Sequence, residues 1–167
     1  MTIKMTYPLG AMHHNSRLGP MVLARTHTGL CGVWFEGQRH FPARLAAEEA
    51  ADDSLLREAA AQLDAFFAGT RSSFELPLDL SGGTPFQQSV WHALLTLPCG
   101  HTCSYSALAH QLGKPSAVRA VAAAVGRNPL SIVVPCHRVL GANGSLTGYA
   151  GGLERKAALL QMEQTHA

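Results

Sequence analysis

Hydrophobic and polar positions divide the first half of the chain into strand-like and helix-like stretches. Residues 20–35, PMVLARTHTGLCGVWF, hold two β-rich runs around a Thr-His-Thr-Gly turn, which predicts a β-hairpin. From Asp53 the spacing of apolar residues changes to that of a helix, and these residues fall on one helical face until Gly69. Residues 74–80 then alternate between apolar and other side chains, which predicts a half-buried strand. This half is therefore expected to form a small α/β unit.

The glycine-containing run at residues 81–83 is the clearest boundary in the chain. It predicts two domains, residues 1–83 and residues 84–167. Residues 84–87, TPFQ, follow at once with the pattern of a helix start. Threonine would be the N-cap, proline would take the first helical position, and glutamine would complete a capping box.

A helix-turn-helix is predicted within the second domain. Ser104 can cap a short helix that ends at Gly113, and Pro115 can open a second helix running to about Gly126. Two short helices joined by a glycine-containing turn have the form of this motif.

Small side chains dominate one face of the second of these helices. They are Ala117, Ala120, Ala123 and Ala124. Close helix packing would explain them, and so would close approach of the backbone to a nucleic-acid groove into which Arg119 projects. The sequence leaves both explanations open.

The end of the chain combines a short apolar run, a turn-rich loop and a helix. The run LSIVVP, residues 130–135, is too short for a helix and rich in β-branched residues. The loop GANGSLTGYAGG, residues 141–152, precedes a final predicted helix. Its residues recurring at helical spacing are Leu153, Ala157, Leu160 and Glu163.

Composition limits the class of protein. A chain of 167 residues that is 47% hydrophobic can bury one or two small cores, which argues against disorder. It contains no apolar run of about eighteen residues, and MTIKMTYPLG at the N-terminus has no apolar signal region. We therefore expect no membrane span and a cytoplasmic location. Residues 84–167 carry six Lys/Arg against two Asp/Glu, whereas residues 1–83 carry seven against nine, so the second half is better suited to a polyanion.

The cysteines and histidines do not form a recognisable metal motif. Four irregularly spaced cysteines favour reduced thiols over a disulfide framework. Cys99 and Cys103 are separated by three residues rather than the usual two, and no second pair follows. The nine histidines are scattered. We expect neither a metal nor another cofactor.

The segment VVPCHRVL places the thiol of Cys136 within an apolar run, where a cysteine is most often a small buried hydrophobe. Pro135 forces the run to break or turn at the thiol, and His137 and Arg138 can both favour a thiolate. In an extended strand His137 would point away from the thiol, so proton transfer requires a tight turn or a bridging water. No hydrolase signature surrounds Cys136.

Several motifs in residues 84–167 together carry a family resemblance. They are Tyr105-Ser-Ala-Leu-Ala, Arg119-Ala-Val, Asn128-Pro129, Pro135-Cys136-His137-Arg138-Val139 and Gly148-Tyr149-Ala-Gly-Gly-Leu153. In order and spacing this set resembles the O6-alkylguanine-DNA alkyltransferases, and the first half resembles their bacterial single-chain members more loosely. The resemblance implies an α/β N-terminal domain, a ribonuclease H-like unit of a small antiparallel sheet with a helix. It also implies a mainly α C-terminal domain of the winged helix-turn-helix type.

The resemblance also implies a reaction. Cys136 would take the alkyl group from O6-alkylguanine, and from O4-alkylthymine, in a single irreversible turnover. His137 would accept the thiol proton through a water and be oriented by Glu163. Tyr105 would act as a neutral donor to the departing guanine, and Asn128 would brace the turn before the thiol.

The implied substrate is double-stranded DNA, bound by a monomer through the minor groove with the damaged nucleotide flipped out. Arg119 would fill the gap in the base stack. The other expected DNA contacts are Lys114, Ser116, Ala117, Ala120 and Ala123. The expected base pocket comprises Val125, Val134, Pro135, Val139, Tyr149 and Ala150.

Two residues depart from the pattern of some family members: Ala150 stands in place of serine and Ser131 in place of proline. Both affect the expected width of the pocket. A non-catalytic damage sensor and a winged-helix regulator are the alternatives, but neither needs a Cys-His pair behind a proline.

Overall fold

The computed structural model describes residues 8–42, 45 and 47–166 of the chain. Residues 1–7, part of the segment predicted to lack a signal region, lie outside the described residues. Within the described ranges, no helix has the length and hydropathy needed to cross a membrane.

The described residues form six strands and five α-helices. The strands are β1 (Gly10–Ser16), β2 (Gly19–Arg25), β3 (Leu30–Phe35), β4 (Glu48–Glu49), β5 (Cys103–Ser104) and β6 (Val139–Leu140). The helices are α1 (Ser54–Phe67), α2 (Pro85–Leu94), α3 (Tyr105–Gln111), α4 (Val118–Gly126) and α5 (Leu153–His166). The strand-and-helix first half and the mainly helical second half agree with the predicted fold class.

The N-terminal sheet has the strand order β3-β2-β1-β4. The predicted hairpin is confirmed, since β2 and β3 pair antiparallel around residues 26–29. The expected small antiparallel sheet is present in β1–β3, and one edge departs from it, because the two-residue β4 pairs parallel with β1. Strand β1, GAMHHNS, escaped prediction because its polar residues lack the β-rich signal of its neighbours.

Helix α1 packs against β1 and β2. Its predicted start is confirmed, since the Asp53 side chain accepts a hydrogen bond from the N–H of Leu56 at 3.0 Å. The strand predicted for residues 74–80 is wrong, although the segment does bury alternate side chains in part. It pairs only through an isolated bridge between Leu78 and Leu30, and Pro77 has no N–H with which to extend a ladder.

The predicted start of α2 and the predicted bounds of α3 are confirmed. Thr84 and Gln87 form a capping box, Ser104 caps α3, and Gly113 follows that helix with a φ of 70°. The predicted start of the next helix at Pro115 is wrong. Residues 115–117 continue the turn, and α4 begins only at Val118.

The predicted final helix is present as α5, but the residues that recur at helical spacing do not all lie on its buried face. Leu153 is 48% exposed and Ala157 is exposed, whereas Lys156, Leu159 and Glu163 are buried. The sequence pattern was misleading because the buried face includes two charged residues, each of which has polar partners in the interior.

A continuous hydrophobic core crosses the predicted domain boundary and runs from α1 through β3 to α2 and α4. The backbones also join there. Val33 in β3 donates to the carbonyl of Pro129 at 2.8 Å, and Ser131 donates back to Val33 at 3.0 Å. The loop that leads to Cys136 is therefore held against the edge of the N-terminal sheet.

Candidate active site

The loop before Cys136 is made of tight turns, where the β-branched run had suggested extended backbone. Ile132 has a φ of 74°, and the N–H of Val133 donates to the carbonyl of Ser131 at 2.9 Å. This is the γ-turn with positive φ, a rare and strained conformation, and a β-branched residue adopts it only under tertiary constraint. Ile132 is only 1% exposed, so its buried neighbours supply that constraint.

A second turn places the thiol. Pro135 has φ −81° and ψ 62°, and the N–H of Cys136 donates to the carbonyl of Val134 at 2.8 Å. This is an inverse γ-turn. A single 3-10 turn, Cys136–Arg138, follows directly. The prediction that Pro135 makes the apolar run break or turn at the thiol is confirmed.

Asn128 ties α4 to this loop. Its side-chain oxygen accepts from the N–H of Leu130 at 3.0 Å, and its nitrogen donates to the carbonyl of Val134 at 2.8 Å. The side chain is buried, so these bonds are shielded from water. The link joins the end of α4 to the residue two positions before the thiol.

A buried charge network surrounds Glu163. His137 Nε2 lies 2.6 Å from one carboxylate oxygen of Glu163, and Arg138 Nε donates to the same oxygen at 2.6 Å. Arg138 also donates to the carbonyl of Leu97 at 2.6 Å. His137 Nδ1 is buried and has no hydrogen-bond partner among the described protein atoms. Glu163 therefore holds the imidazole through Nε2, and Nδ1 is left without a protein partner.

Protonation states follow from burial. Burial lowers the pKa of His137 despite the opposing effect of Glu163, so the imidazole is neutral at pH 7. Burial tends to raise the pKa of Glu163, but the hydrogen bonds from His137 and Arg138 and the positive charge of Arg138 outweigh it and lower the pKa. Glu163 is therefore ionised and shares its charge with both neighbours.

The thiol of Cys136 is 6% exposed, and burial raises its pKa. The Asn128 side chain and the charge of Lys156 act in the opposite direction. The expectation that His137 and Arg138 together favour a thiolate needs correction, because His137 is neutral and Arg138 is paired with Glu163. The resting thiol is protonated, and a base must remove its proton before it can act as a nucleophile.

Sequence reasoning missed Lys156. Its ammonium is fully buried and donates to the carbonyls of Val139 at 2.6 Å and Thr147 at 2.8 Å. It also lies 5.9 Å from the centre of the Tyr105 ring. The available signal was its position two helical turns before Glu163, which places both residues on one face of α5.

Two tyrosines lie near the thiol loop. The Tyr105 hydroxyl donates to the carbonyls of Thr147 and Gly148, each at 3.3 Å. Burial raises the pKa of Tyr105 and raises the pKa of Tyr149 by more. The thiol of Cys136 adds to both shifts. Both phenols are therefore neutral at pH 7.

The residues predicted to line a base pocket lie on the segments that surround the thiol. Val125, Val134, Pro135 and Val139 are buried, and Tyr149 and Ala150 are half-buried. A side chain at Gly151 would come within 2.8 Å of the Tyr149 ring and 3.0 Å of Phe35, so the loop after Tyr149 is packed closely against β3.

A separate cleft of about 270 Å³ lies between the segment 72–78 and the thiol loop. Ile132, Val133 and Pro135 line it, but Cys136 and Tyr149 do not. This cleft therefore shares Pro135 with the predicted base pocket but does not include the thiol or the other predicted pocket residues.

The predicted DNA-contacting residues lie at the surface of the helix-turn-helix. Lys114, Ser116, Arg119, Ala120 and Ala123 are exposed, and Ala117 is half-buried. Ala124 is buried, and its carbonyl accepts a hydrogen bond from the Trp91 indole at 2.9 Å. One side of α4 thus packs against α2, while the side bearing Arg119 faces outward.

The other cysteines differ from Cys136 in their surroundings. All four cysteines are free thiols, and burial raises the pKa of Cys31 to about 11 and also raises those of Cys99 and Cys103. Cys136 is buried, whereas the other three are half-buried. Besides burial, the charge of Glu163 tends to raise the pKa of Cys99 and Arg138 tends to lower it, so Cys99 lies near the charge network. In the part of the chain that the structure describes, no three His, Cys, Asp or Glu side chains are placed to hold a metal ion.

Two family profiles match the chain. Residues 85–165 match the DNA binding domain of 6-O-methylguanine DNA methyltransferase, and residues 6–80 match the ribonuclease-like domain of the same family.

Individual relatives match over most of their length. A methylated-DNA–protein-cysteine methyltransferase of Mycobacterium leprae is 47% identical, covering 90% of this chain and 89% of that protein. The crystal structure of Mycobacterium tuberculosis OGT in complex with DNA superposes with a TM-score of 0.87 at 45% identity, covering 95% of each chain. An O6-methylguanine-DNA methyltransferase from Pyrococcus kodakaraensis gives a TM-score of 0.61 at 26% identity, covering 92% of this chain and 98% of that one.

Proposed function

The chain belongs to the 6-O-methylguanine DNA methyltransferase family, and from this premise we propose that Cys136 is the residue that accepts the alkyl group. The protein is a methylated-DNA–protein-cysteine methyltransferase that repairs DNA by alkyl transfer, and DNA is its partner. The observation that carries the assignment to Cys136 is a buried thiol in the same 3-10 turn as a neutral histidine that is bound to a buried carboxylate. The comparisons give no support to the alternative of a non-catalytic sensor or regulator.

The transfer is a displacement at carbon. The thiol proton passes through a water to His137 Nδ1, and Glu163 stabilises the imidazolium that forms. The sulfur then bonds to the alkyl carbon while the carbon–O6 bond breaks, and the electron pair stays on the base. Tyr105 donates its phenolic proton to the departing guanine, and the proton held by His137 returns to Tyr105 through solvent. Overall, the alkyl group moves from oxygen to sulfur and one proton moves from sulfur to the base. The same chemistry would serve O4-alkylthymine.

The thioether ends the reaction, because no group in the described site can hydrolyse a carbon–sulfur bond at useful rates. One chain therefore repairs one lesion. Apolar walls at Val134, Pro135 and Val139 suit an alkyl group, and Asn128 holds Val134 in place. Ala150 widens the pocket relative to a serine at that position.

DNA binding uses the outward face of α4. An alkylated base inside a duplex cannot reach a thiol that is 6% exposed, so the nucleotide must leave the stack. We assign Arg119 to the gap that the extruded nucleotide leaves in the base stack, which it enters from the minor groove. We assign Tyr149 and Val139 to the two sides of the extruded base. The small exposed residues Ala120 and Ala123 let the helix backbone approach the groove.

The division at residues 81–83 separates an N-terminal support unit, 1–83, from a unit that binds DNA and transfers the alkyl group, 84–167. The protein would act as a monomer. A nucleophilic thiol that must stay reduced fits the expected cytoplasmic location.

The function is tested by mass spectrometry after mixing with a duplex that carries one O6-methylguanine. We expect the peptide containing Cys136 to gain one methyl group, with the gain saturating at one per chain. Methylation of a different cysteine would contradict the site assignment. Absence of transfer despite lesion-selective binding would leave a damage sensor.

Replacement of Lys156 with methionine should slow methyl transfer about tenfold at pH 7, because it removes a positive charge that lowers the pKa of Cys136. The change raises the thiol pKa, so the deficit should shrink as the pH rises. The measurement is the single-turnover rate at saturating DNA across a pH series. Rates that run parallel to the parent at every pH would show a purely structural role for Lys156.

A further inference from the structure

We propose that Arg39 and Arg127 form a phosphate-binding site at the rim of the base pocket, which binds the DNA backbone beside the extruded nucleotide. The site rests on the function proposed above. It joins a loop of the N-terminal domain, residues 36–41, to the end of α4. The first half of the chain thereby contributes directly to recognition of DNA, although it carries fewer basic than acidic residues.

The loop 36–41 is fixed to both segments that border the pocket. The Arg39 N–H donates to the carbonyl of Ala150 at 3.0 Å. The buried side chain of Gln38 accepts from the N–H of Phe35 at 2.9 Å and from the Ser131 hydroxyl at 3.5 Å. Phe35 in turn lies against Gly151, as described above. Arg39 is therefore presented from a rigid support immediately beside the residues assigned to the base.

The charges at this rim are exposed and unneutralised. Arg39, His40 and Arg127 are all exposed, and none forms a salt bridge within the described residues. The segment that follows Arg127 lies beside the loop 36–41, because Val33 donates to the carbonyl of Pro129 and the Ser131 hydroxyl donates to Gln38. In agreement with this placement, partial burial and the charges of Arg127 and Arg39 lower the pKa of His40. Two like charges held near each other without a counter-charge favour an anionic ligand.

A phosphate diester of DNA is the anion that this position would meet. Extrusion turns a nucleotide about its backbone, so the phosphates on either side of it are drawn toward the mouth of the pocket. Guanidinium groups bind phosphate oxygens in a bidentate manner, and exposed arginines lose little hydration in doing so. The site therefore adds most to the binding affinity when the nucleotide is extruded, so it should strengthen binding to damaged DNA more than binding to undamaged DNA.

The test uses Cys136→Ser protein, in which no transfer occurs during the measurement. Fluorescence anisotropy gives the affinity for a duplex with one O6-methylguanine and for the same duplex without it, each over a series of salt concentrations. The test variant adds Arg39→Ala and Arg127→Ala. A matched control adds Arg57→Ala and Arg71→Ala, which removes the same charge from α1 and the turn that follows it.

We expect the test variant to lose about tenfold or more in affinity for the lesion duplex. The salt slope, which is the steepness with which log affinity falls with log salt concentration, should decrease by about two. The loss should be smaller for the undamaged duplex. The control variant should match the parent, and Arg39→Lys with Arg127→Lys should restore the salt slope, since the charge is kept.

Unchanged affinity and slope in the test variant would overturn the phosphate site while leaving the proposed function intact. An equal loss in the control variant would also overturn it, because the effect would then follow net charge rather than position. A parent protein that does not prefer the lesion duplex would overturn the proposed function and, with it, this site.

Discussion

In Cys136→Ser protein mixed with a duplex that carries one O6-methylguanine, we expect no methyl transfer to the chain. A serine hydroxyl in the same position is a far weaker nucleophile at carbon, and the neutral base His137 cannot ionise it. The expected loss is on the order of 10⁴-fold or more, comparable to removal of the nucleophile in other covalent enzymes. The measurement is intact-protein mass spectrometry over time, with affinity for the lesion duplex measured alongside.

Binding to the lesion should survive this substitution, because serine is similar in shape to cysteine and leaves the buried loop intact. Cys31→Ser is the matched control. That thiol is half-buried in β3 and its pKa is raised to about 11, so its removal should leave transfer unchanged. Methyl transfer in the Cys136→Ser protein, at any residue, would contradict the assignment.

Glu163→Gln should reduce both stability and rate. Glutamine keeps the volume but removes the charge shared by His137 and Arg138, and it leaves a buried guanidinium without its counter-ion. Breaking a buried pair in this way costs about 3 kcal/mol or more, and in a chain of this size it should lower the Tm by roughly 6–12 °C. The transfer rate should fall by about 10²-fold or more, because an amide cannot stabilise the imidazolium.

The dependence of stability on pH separates this charge effect from simple damage to the core. The folded-state pKa of His137 is lowered, so the unfolded chain binds more protons below about pH 6.5, and stability falls as the pH drops through that value. The folded-state pKa of Glu163 is also lowered, so its contribution is present above about pH 4.3 and is lost as the pH falls through the folded-state value.

In the parent protein we therefore expect the Tm to decrease below about pH 6.5 and to decrease further below about pH 4.3. In Glu163→Gln, the decrease in Tm at the lowest pH values should be smaller, because the contribution of the Glu163 carboxylate to that decrease is absent. Glu154→Gln, an exposed position on the same helix, is the control and should follow the parent. An unchanged acid profile in Glu163→Gln would show that the carboxylate does not carry the stabilising charge.

Local sequence signals predicted those elements whose ends depend on their own residues. Asp53 starts α1, Thr84 and Gln87 start α2, and Ser104 starts α3, each through a side chain that bonds its own helix. The start of α4 was misplaced because no side chain caps it, and Ala117 precedes it without a hydrogen bond of that kind. Where capping is absent, packing decides the boundary.

The site was predictable where it followed motifs and unpredictable where it depended on tertiary contacts. The segment around Cys136 and His137 indicated reactive chemistry, and the family resemblance added Glu163. Lys156 escaped because a lysine on a charged helix ordinarily faces water, whereas here two loop carbonyls receive its ammonium. The partners are remote in sequence, so the pattern of α5 alone could not reveal them.

The γ-turn at Ile132 has a consequence for where the reactivity of this protein resides. An isoleucine leaves that conformation as soon as its surroundings relax. The turn therefore exists only while β3, which is hydrogen-bonded to Ser131, and the buried core around Ile132 hold it in place. An unfolded copy contains the same PCHR residues, but its cysteine is chemically ordinary. Readiness for repair is thus a property of the intact tertiary structure, and the number of methyl groups taken up per chain at completion reports the fraction of chains that are correctly folded.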